Sequence, residues 1–312
     1  MGDTETTREL IVEEAAAGAR LDVFLRDRLS GFGRAAVRRL LEEGRVRVDA
    51  RRASGSDKLE AGQRVTIRGE LSVAALPDPS APLSLVYEDA ACVVANKPAG
   101  MPTHPLAPGE LGTLASALLA RFPEMTGLGY SPREPGIVHR LDTDTSGLVL
   151  AARTQQAFDG LRAQLEAGQI DKRYLALCQG APDASMIGVV QRAALVAHGA
   201  RVHVQLDESH ARVDALPITT EIVRVVSVHG ALSLIEARAH RARRHQVRAH
   251  LAALGHPIAG DALYGGPSAP QLTRHFLHAS ALAFAHPLST EPIELGAELP
   301  EELKAVLEAS LL

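Results

Sequence analysis

Acidic and hydroxyl side chains cluster at 139–146, directly before an apolar segment at 147–152. The run contains Asp142 and Asp144, and polar residues beside a buried strand cost stability unless they serve a function. A carboxylate held next to a reacting carbon can act as a nucleophile, as a base or as an electrostatic stabiliser. Aspartate also closes turns, so composition alone leaves a catalytic and a turn interpretation equally weighted.

Four histidines, at positions 240, 245, 250 and 256, form a second group with ligand chemistry. Their steps of five and six residues spread them around a helix instead of placing them on one face, and no cysteine lies nearby. The spacing therefore disfavours a zinc site, and we predict no metal.

The elements around these residues alternate between strands and a few helices. Helices are predicted near 113–122, 154–167, 244–254 and 299–309, and strands near 83–88, 91–96, 147–152, 172–178, 187–195, 201–206, 213–227 and 231–239. This order predicts an α+β domain with a mostly antiparallel sheet and packed helices. Cys92 and Cys178 lie in apolar strand-like runs, which predicts two buried free thiols.

The N-terminal part forms a smaller, basic module. Helices are predicted at 19–29 and about 34–43, followed by short strands at 46–48 and 63–68. Residues 18–70 contain thirteen Arg and Lys against eight Asp and Glu, a net charge of +5 in a chain of −4. Arg34, Arg38 and Arg39 share one flank of the second helix. A solvated helix surface would explain those charges equally well.

A proline-rich linker at 71–82 separates this module from the rest of the chain. We therefore predict domains at 1–75 and 76–312. The N-terminus has no apolar signal segment, and no run approaches the roughly eighteen apolar residues of a membrane helix. We expect a cytoplasmic protein without a membrane association and without an obligate protein partner.

The basic module resembles the S4 RNA-binding domain. The resemblance rests on Arg20-Leu21-Asp22 at the first helix, on Arg34 to Val48 across the second helix and first strand, and on Gly62-Gln63-Arg64-Val65. It implies a structured RNA as partner and RNA contacts from Arg34, Arg38, Arg39 and Arg45. Gly33-Arg34 and Asp49-Ala50 replace the Ser-Arg pair and the Asn-Gly turn that the family usually has.

Four ordered blocks in the remaining chain resemble the RluA family of pseudouridine synthases. The central block is His139-Arg140-Leu141-Asp142 with Thr145-Ser146-Gly147-Leu148, and the other three surround it along the chain. They are the blocks from Val93 to Pro105, from Lys172 to Gly180 and from Arg243 to Gly265. Four blocks in the family's order make the signal specific, whereas His-Arg-Leu-Asp alone would be weak.

The resemblance assigns roles to individual residues. Asp142 maps to the family's essential carboxylate, Tyr174 to an aromatic that stacks on the target base, and Arg248 to the arginine that keeps the carboxylate ionised. Arg140 helps to fill the gap that a flipped uridine leaves in the RNA, and Arg243 and His245 contact RNA. Asp144 falls at a position that varies in the family and receives no catalytic role. Tyr174 taken alone could be an ordinary strand aromatic, and Arg140 alone could pair with a nearby carboxylate.

The implied function is the isomerisation of uridine to pseudouridine in structured RNA, with 23S ribosomal RNA of the large subunit as the expected substrate. The reaction is redox-neutral, so no cofactor is expected. The chain departs from the family at Arg241-Ala242-Arg243-Arg244, where Thr-Gly-Arg-Thr is usual. Positive φ would strain Ala242 in that turn.

Two other hypotheses come from different functional classes. The altered turn would suit a catalytically silent RNA-binding or ribosome-assembly protein, which the intact Asp142, Tyr174 and Arg248 argue against. A glycosidase or metal hydrolase using Asp142 and Asp144 lacks a second acid block and leaves the basic module unexplained.

Overall fold

The computed structural model describes residues 7–29, 34–69, 74–198, 201–207 and 215–309. Two compact units divide the chain: Met1–Leu76 with Pro105–Leu111, and Pro77–His104 with Gly112–Leu312. The predicted domains at 1–75 and 76–312 differ from these units in the placement of Pro105–Leu111, and the domain assignment stays a prediction.

The first unit is a small α/β module whose order of elements matches the predicted one. Its elements are β1 (Thr7–Ile11), α1 (Leu21–Arg28), α2 (Arg34–Glu42), β2 (Val46–Val48), β3 (Arg51–Arg52) and β4 (Arg64–Arg68). The strands form an antiparallel sheet in the order β1-β4-β2-β3. One aliphatic core joins the two helices to the sheet, with Leu25, Leu40 and Ile67 almost fully buried.

The second unit holds a large sheet with helices. Its helices are α3 (Leu114–Arg121), α4 (Gln155–Ala167), α5 (Gln246–Ala253) and α6 (Glu301–Ala309). Its strands are β5 (Leu85–Glu88), β6 (Cys92–Lys97), β7 (Ser146–Ala152), β8 (Asp171–Gln179), β9 (Val190–His198), β10 (Arg201–Gln205), β11 (Leu216–His229), β12 (Leu232–Arg238), β13 (Leu277–Ala285) and β14 (Pro292–Gly296).

The described strands of this unit form one ten-stranded sheet. The order is β10-β9-β11-β12-β8-β13-β7-β6-β5, with β14 paired to the second half of β13. Neighbouring strands are antiparallel apart from β7 and β13, which run parallel. The predicted α+β class with a mostly antiparallel sheet is confirmed.

Strand β7 lies at the centre of the core, because all seven of its residues are buried. Helix α4 covers it through Ala157, Phe158 and Leu161, which pack in the same cluster as Leu148 and Leu150. Thr154 caps this helix by accepting the Ala157 N–H at 3.2 Å, and Gly168 ends it in the left-handed conformation. The polar segment before β7 is thus attached to the most buried strand of the unit.

Cys92 and Cys178 are buried and free, as predicted. The sequence did not predict β13 and β14 as strands. Among the described residues no helix has the length and apolar character to cross a membrane.

Candidate active site

The segment that carries Asp142 is a tight loop between the strand-like pair Ile137–Val138 and β7. The Thr145 N–H donates to the Asp142 carbonyl at 3.0 Å, which closes a turn around Thr143 and Asp144. Thr103 holds the loop from the other side, because its Oγ1 donates to the Leu141 carbonyl at 2.8 Å and accepts the Leu141 N–H at 3.2 Å. The backbone of the loop is therefore fixed, and the Asp142 side chain remains 18% exposed.

Lys97, at the end of β6, holds the same loop by hydrogen bonds from its Nζ. Its side chain is 1% exposed, and Nζ donates to the carbonyls of Pro98, Met101 and Thr143 at 2.9, 2.7 and 3.0 Å. Burial lowers the pKa of Lys97 to about 7, while the charge of Asp142 opposes this shift. Three carbonyl acceptors match the three donors of an ammonium group, and one of them belongs to the residue after Asp142.

Arg248 divides its guanidinium group between two carboxylates. Nε and Nη2 donate to Asp261 Oδ2 and Oδ1 at 2.6 and 2.9 Å, and Nη1 donates to Asp142 Oδ2 at 3.0 Å. Burial alone would lower the pKa of Arg248, but its hydrogen bonds and the charges of Asp261 and Asp142 raise it above the ordinary value. A permanent positive charge thus lies against the Asp142 carboxylate, and a charge-assisted hydrogen bond joins the two groups.

Tyr174 lies on β8 and lines a narrow pocket of about 30 Å³ together with Asp142 and Arg248. Its side chain is 3% exposed. Burial raises the pKa of Tyr174, and the nearby Asp142 charge raises it further, so the phenol stays neutral at physiological pH. The structure therefore brings the three predicted catalytic residues into one pocket, although their catalytic roles stay a prediction.

His245 also lines this pocket, and Tyr264 contacts its ring from outside the lining. His245 precedes α5 with φ 54°, and its Nδ1 lies 2.9 Å from the Tyr264 hydroxyl, which accepts the Val202 N–H at 3.0 Å. The tyrosine hydroxyl can therefore donate its proton to His245 Nδ1. In that tautomer the ring proton is on Nε2, and Nε2 lies 4.0 Å from Asp142 Oδ2. Burial lowers the pKa of His245, which favours the neutral ring.

Arg140 lies at the mouth of the pocket, with 45% of its side chain exposed. Its Nη1 donates to His104 Nε2 at 3.1 Å and lies 3.9 Å from Glu134 Oε1. The sequence left open that Arg140 pairs with a nearby carboxylate. Glu134 is such a carboxylate, at a distance close to the outer limit of an ion pair. Arg243 is exposed and lines the same pocket.

The turn that departs from the family pattern avoids the expected strain. Ala242 does not have positive φ, and the left-handed residue of this loop is His245. Arg241 and Arg243 point to exposed positions, and Arg244 Nη2 donates to the Arg201 carbonyl at 3.1 Å. The backbone of this loop therefore turns without positive φ at position 242, so it does not require glycine there.

The predicted RNA-binding arginines of the first unit are only partly described. Arg38 is exposed and lies 3.5 Å from Glu42, while Arg45 donates to the Arg68 carbonyl at 2.8 Å. The side chains of Arg34 and Arg39 lie outside the described residues. Contacts of this group with RNA stay a prediction.

The four histidines considered for zinc do not come together in the part of the chain that the structure describes. The group with metal-compatible spacing there is Asp89, Cys92 and His286. Asp89 already accepts from the Tyr87 hydroxyl, from two backbone N–H groups and faces His286 Nε2 at 2.9 Å. Burial raises the pKa of the Cys92 thiol to about 12, so this group is a satisfied hydrogen-bond network.

Several supporting residues were quoted in the sequence blocks but received no role. Lys97 is the lysine of Asn-Lys-Pro, and Asp261 and Tyr264 belong to the last block. Their positions in the motifs were a usable signal, because each one supports Asp142, Arg248 or His245 in the structure.

Fold and site together place one carboxylate, paired with arginine, in a narrow pocket of an α+β domain. Comparison with known proteins identifies the class of enzyme. The family model for RNA pseudouridylate synthase matches residues 91–253, and the S4 domain model matches residues 19–65.

Individual relatives agree with this match. The Neisseria meningitidis protein named ribosomal large subunit pseudouridine synthase D is 36% identical over 271 residues, which cover 86% of this chain and 69% of that protein. An uncharacterized RNA pseudouridine synthase of Chloroflexus aurantiacus is 40% identical over 268 residues, covering 83% and 79%. The solved structure of human RNA pseudouridylate synthase domain containing 1 has a TM-score of 0.54 at 27% identity, covering 72% of this chain and 86% of the human one.

The chain belongs to the RNA pseudouridylate synthase family, of the RluA type, and carries an N-terminal S4 domain. It is an isomerase that converts uridine to pseudouridine in RNA. Both resemblances stated from the sequence are confirmed.

Proposed function

We propose that this enzyme modifies uridines of the large-subunit (23S) ribosomal RNA in the cytoplasm, with Asp142 as its catalytic carboxylate. Two features support the substrate: the S4 domain match and the names of relatives such as the Neisseria meningitidis protein. The contact that carries the catalytic assignment is the 3.0 Å hydrogen bond from Arg248 Nη1 to Asp142 Oδ2 inside a pocket that Tyr174 also lines.

The reaction needs a carboxylate of this kind. The N1–C1′ bond of uridine breaks, the uracil turns, and a C5–C1′ bond forms, while the C5 proton is lost and N1 gains a proton. C1′ becomes electron-poor on the way, as in glycoside hydrolysis. The Asp142 carboxylate serves this step as a nucleophile at C1′, as an electrostatic stabiliser, or as a base at the neighbouring carbon, and the hydrogen bond from Arg248 holds it in place for each role.

Tyr174 contacts the target base in this proposal, and Arg140 contacts the surrounding RNA. The neutral Tyr174 ring stacks on the uracil while the base turns. The uridine must leave its stack to enter the pocket, which costs a few kcal/mol. Arg140, half exposed at the mouth, occupies the space that the flipped nucleotide leaves. No step requires a redox cofactor, because substrate and product are isomers.

The test is pseudouridine mapping of ribosomal RNA from cells with and without this protein. We expect at least one 23S position to lose pseudouridine in the deletion strain and to regain it with the wild-type gene but not with Asp142→Asn or Asp142→Ala. Asp144→Asn is the matched control, because it removes an exposed carboxylate two residues away and should restore the modification.

Two outcomes would overturn parts of the proposal. Normal modification by Asp142→Asn would contradict the catalytic assignment. A pseudouridine lost only from transfer or messenger RNA would contradict the substrate assignment and leave the reaction intact.

A further inference from the structure

A second and larger cleft lies next to the catalytic pocket in the second unit. Its volume is about 310 Å³, against about 30 Å³ for the catalytic pocket. The two share Arg140, Ala242 and Arg243 as lining residues, so one opens beside the other. The reaction proposed above does not use the larger cleft, which is roomy enough for a nucleobase.

Tyr130 forms one wall of this cleft and offers an aromatic face. Its side chain is 75% exposed, in a chain that has four tyrosines and no tryptophan. The ring meets Phe158 edge-on, with centroids 5.1 Å apart and planes at 79°, and Arg162 Cζ lies 6.0 Å from its centroid. Phe158 is buried in the core against β7, so Tyr130 is supported from behind while its ring remains available for stacking.

The charges along the cleft favour an anion. Four arginines line it, and its two carboxylates are both engaged: Glu134 lies 2.9 Å from His104 Nδ1, and Glu166 accepts from Arg162 Nη2 at 3.3 Å. Among the described residues, no ion pair involves Arg241 or Arg243, and both are exposed. These two guanidinium groups therefore have donors available for a phosphate.

Buried nitrogen atoms without hydrogen-bond partners lie behind the wall of the cleft. Lys172 is 2% exposed, and its Nζ lacks a hydrogen-bond partner, as do Arg162 Nε and His139 Nδ1. Burial, and then the charge of Arg162, lowers the pKa of Lys172 to about 7, while burial and the charge of Lys172 lower the pKa of His139. Arg162 and His139 line the cleft, so these unsatisfied nitrogen atoms belong to residues of its wall.

We propose that this cleft is a second nucleotide-binding site, which takes an unpaired nucleotide of the substrate RNA adjacent to the target uridine, with its base on Tyr130 and its phosphate on Arg241 and Arg243. The inference rests on the proposed function for its substrate class. It adds a requirement for a second unstacked nucleotide, and thereby restricts the RNA to flexible single-stranded elements such as loops or bulges.

The first test needs no turnover. Full-length protein labelled with 3-fluorotyrosine should give four ¹⁹F signals, one for each tyrosine, and Tyr130→Phe identifies the signal of Tyr130. Adenosine 5′-monophosphate should shift that signal. The Arg241→Gln/Arg243→Gln variant should weaken its binding about tenfold while leaving adenosine binding unchanged. Arg192→Gln/Arg224→Gln, at exposed arginines of β9 and β11, is the control for the loss of two charges.

A second test uses the ribosomal RNA fragment around the modified position. Each nucleotide near the target is replaced in turn by an abasic ribose, and the dissociation constant is measured for wild type, Tyr130→Ala and Tyr130→Phe. One abasic position should weaken wild-type binding about tenfold and have no effect on Tyr130→Ala, because that variant has already lost the stacked base. Tyr130→Phe should behave as wild type.

The outcomes separate this inference from the proposed function. If the Tyr130 signal does not move, or if every abasic position weakens wild type and Tyr130→Ala equally, the second site is refuted even when the enzyme modifies its RNA normally. If the nucleotide binds as described but no ribosomal RNA position depends on the protein, the substrate assignment fails and the second site stands.

Discussion

At the scale of single residues, the arrangement of Arg248 determines how Asp142 is presented. Arg248 is 8% exposed and its guanidinium group meets Asp261, which is 2% exposed, through two parallel hydrogen bonds. This bidentate contact fixes the plane of the guanidinium group, and only Nη1 remains for Asp142. We therefore expect Asp261 to be a positioning residue that affects the reaction through Arg248.

Asp261→Asn should lower kcat about 100-fold with little change in KM, because a misplaced arginine no longer aligns the carboxylate with C1′. It should also destabilise the fold by about 1–3 kcal/mol, since Arg248 loses its bidentate partner and keeps only the contact with Asp142. Single-turnover kinetics and denaturant unfolding measure the two effects.

Asp171→Asn separates positioning from stability. Asp171 is another carboxylate paired with arginine, with Oδ2 at 3.0 Å from Arg173 Nε and Oδ1 at 2.9 Å from Arg238 Nε, but it lies outside the catalytic pocket. We expect it to lose stability and keep kcat. Equal losses of kcat in both variants at matched stability would show that Asp261 has a structural role alone.

At the scale of elements, the sequence predicted those parts of the fold whose patterns are local. The helix at 154–167 was predicted from its periodicity and corresponds to α4, and the run from Leu148 to Ala152 was predicted as a buried strand. Strand β13 was missed because Leu-His-Ala-Ser-Ala-Leu-Ala-Phe-Ala is rich in alanine, which has low strand propensity. Its place between β8 and β7 depends on pairings more than one hundred residues apart in sequence.

The site was predictable to a similar extent. Motif spacing identified Asp142, Tyr174 and Arg248, but not how they are held. That Lys97 donates to the Thr143 carbonyl, or that Tyr264 donates to His245, depends on contacts between distant segments. Only the folded chain shows that the turn before α5 puts positive φ at His245 and not at Ala242.

Gly147 shows how closely the elements around the loop are packed. It lies in β7 between Lys97 of β6 and Ala279 of β13, with φ +117°. A Cβ at this position would lie 2.2 Å from the Ala279 carbonyl oxygen and 2.6 Å from its nitrogen. Glycine is therefore required by the conformation and by the close approach of the β13 backbone.

Gly147→Ala should destabilise the second unit by about 3 kcal/mol or more, because positive φ and overpacking each cost about 1–3 kcal/mol. Gly160→Ala is the control: it lies in α4, where the new methyl group would be 3.4 Å from the Pro287 carbonyl oxygen and 3.5 Å from its Cβ. There alanine should be neutral or stabilise by up to about 1 kcal/mol. Thermal unfolding followed by circular dichroism compares the two, and similar melting temperatures would contradict the packing described for β7 and β13.

At the scale of the whole molecule, positive charge is concentrated in the N-terminal part. The chain has a formal net charge of −4, yet residues 18–70 have thirteen basic against eight acidic side chains, a net charge of +5. A chain that is acidic overall gains little from nonspecific attraction to RNA. Affinity for RNA should therefore depend on the first unit, with the second unit contributing the arginines near its pocket.

Full-length Arg38→Gln/Arg45→Gln should bind ribosomal RNA more weakly and lower the slope of log affinity against log salt by about 1.4 if each arginine contacts one phosphate of a single strand, or about 1.8 for a duplex. Removal of residues 1–75 should flatten the slope further. Arg192→Gln/Arg224→Gln, in the second unit, removes the same charge and should leave the slope unchanged.

Because kcat at saturating RNA reports on the pocket around Asp142, it should stay near the wild-type value in Arg38→Gln/Arg45→Gln. An unchanged salt slope in both the double variant and the truncated chain would mean that the S4 domain does not bind the RNA backbone, and RNA recognition would then belong to the second unit.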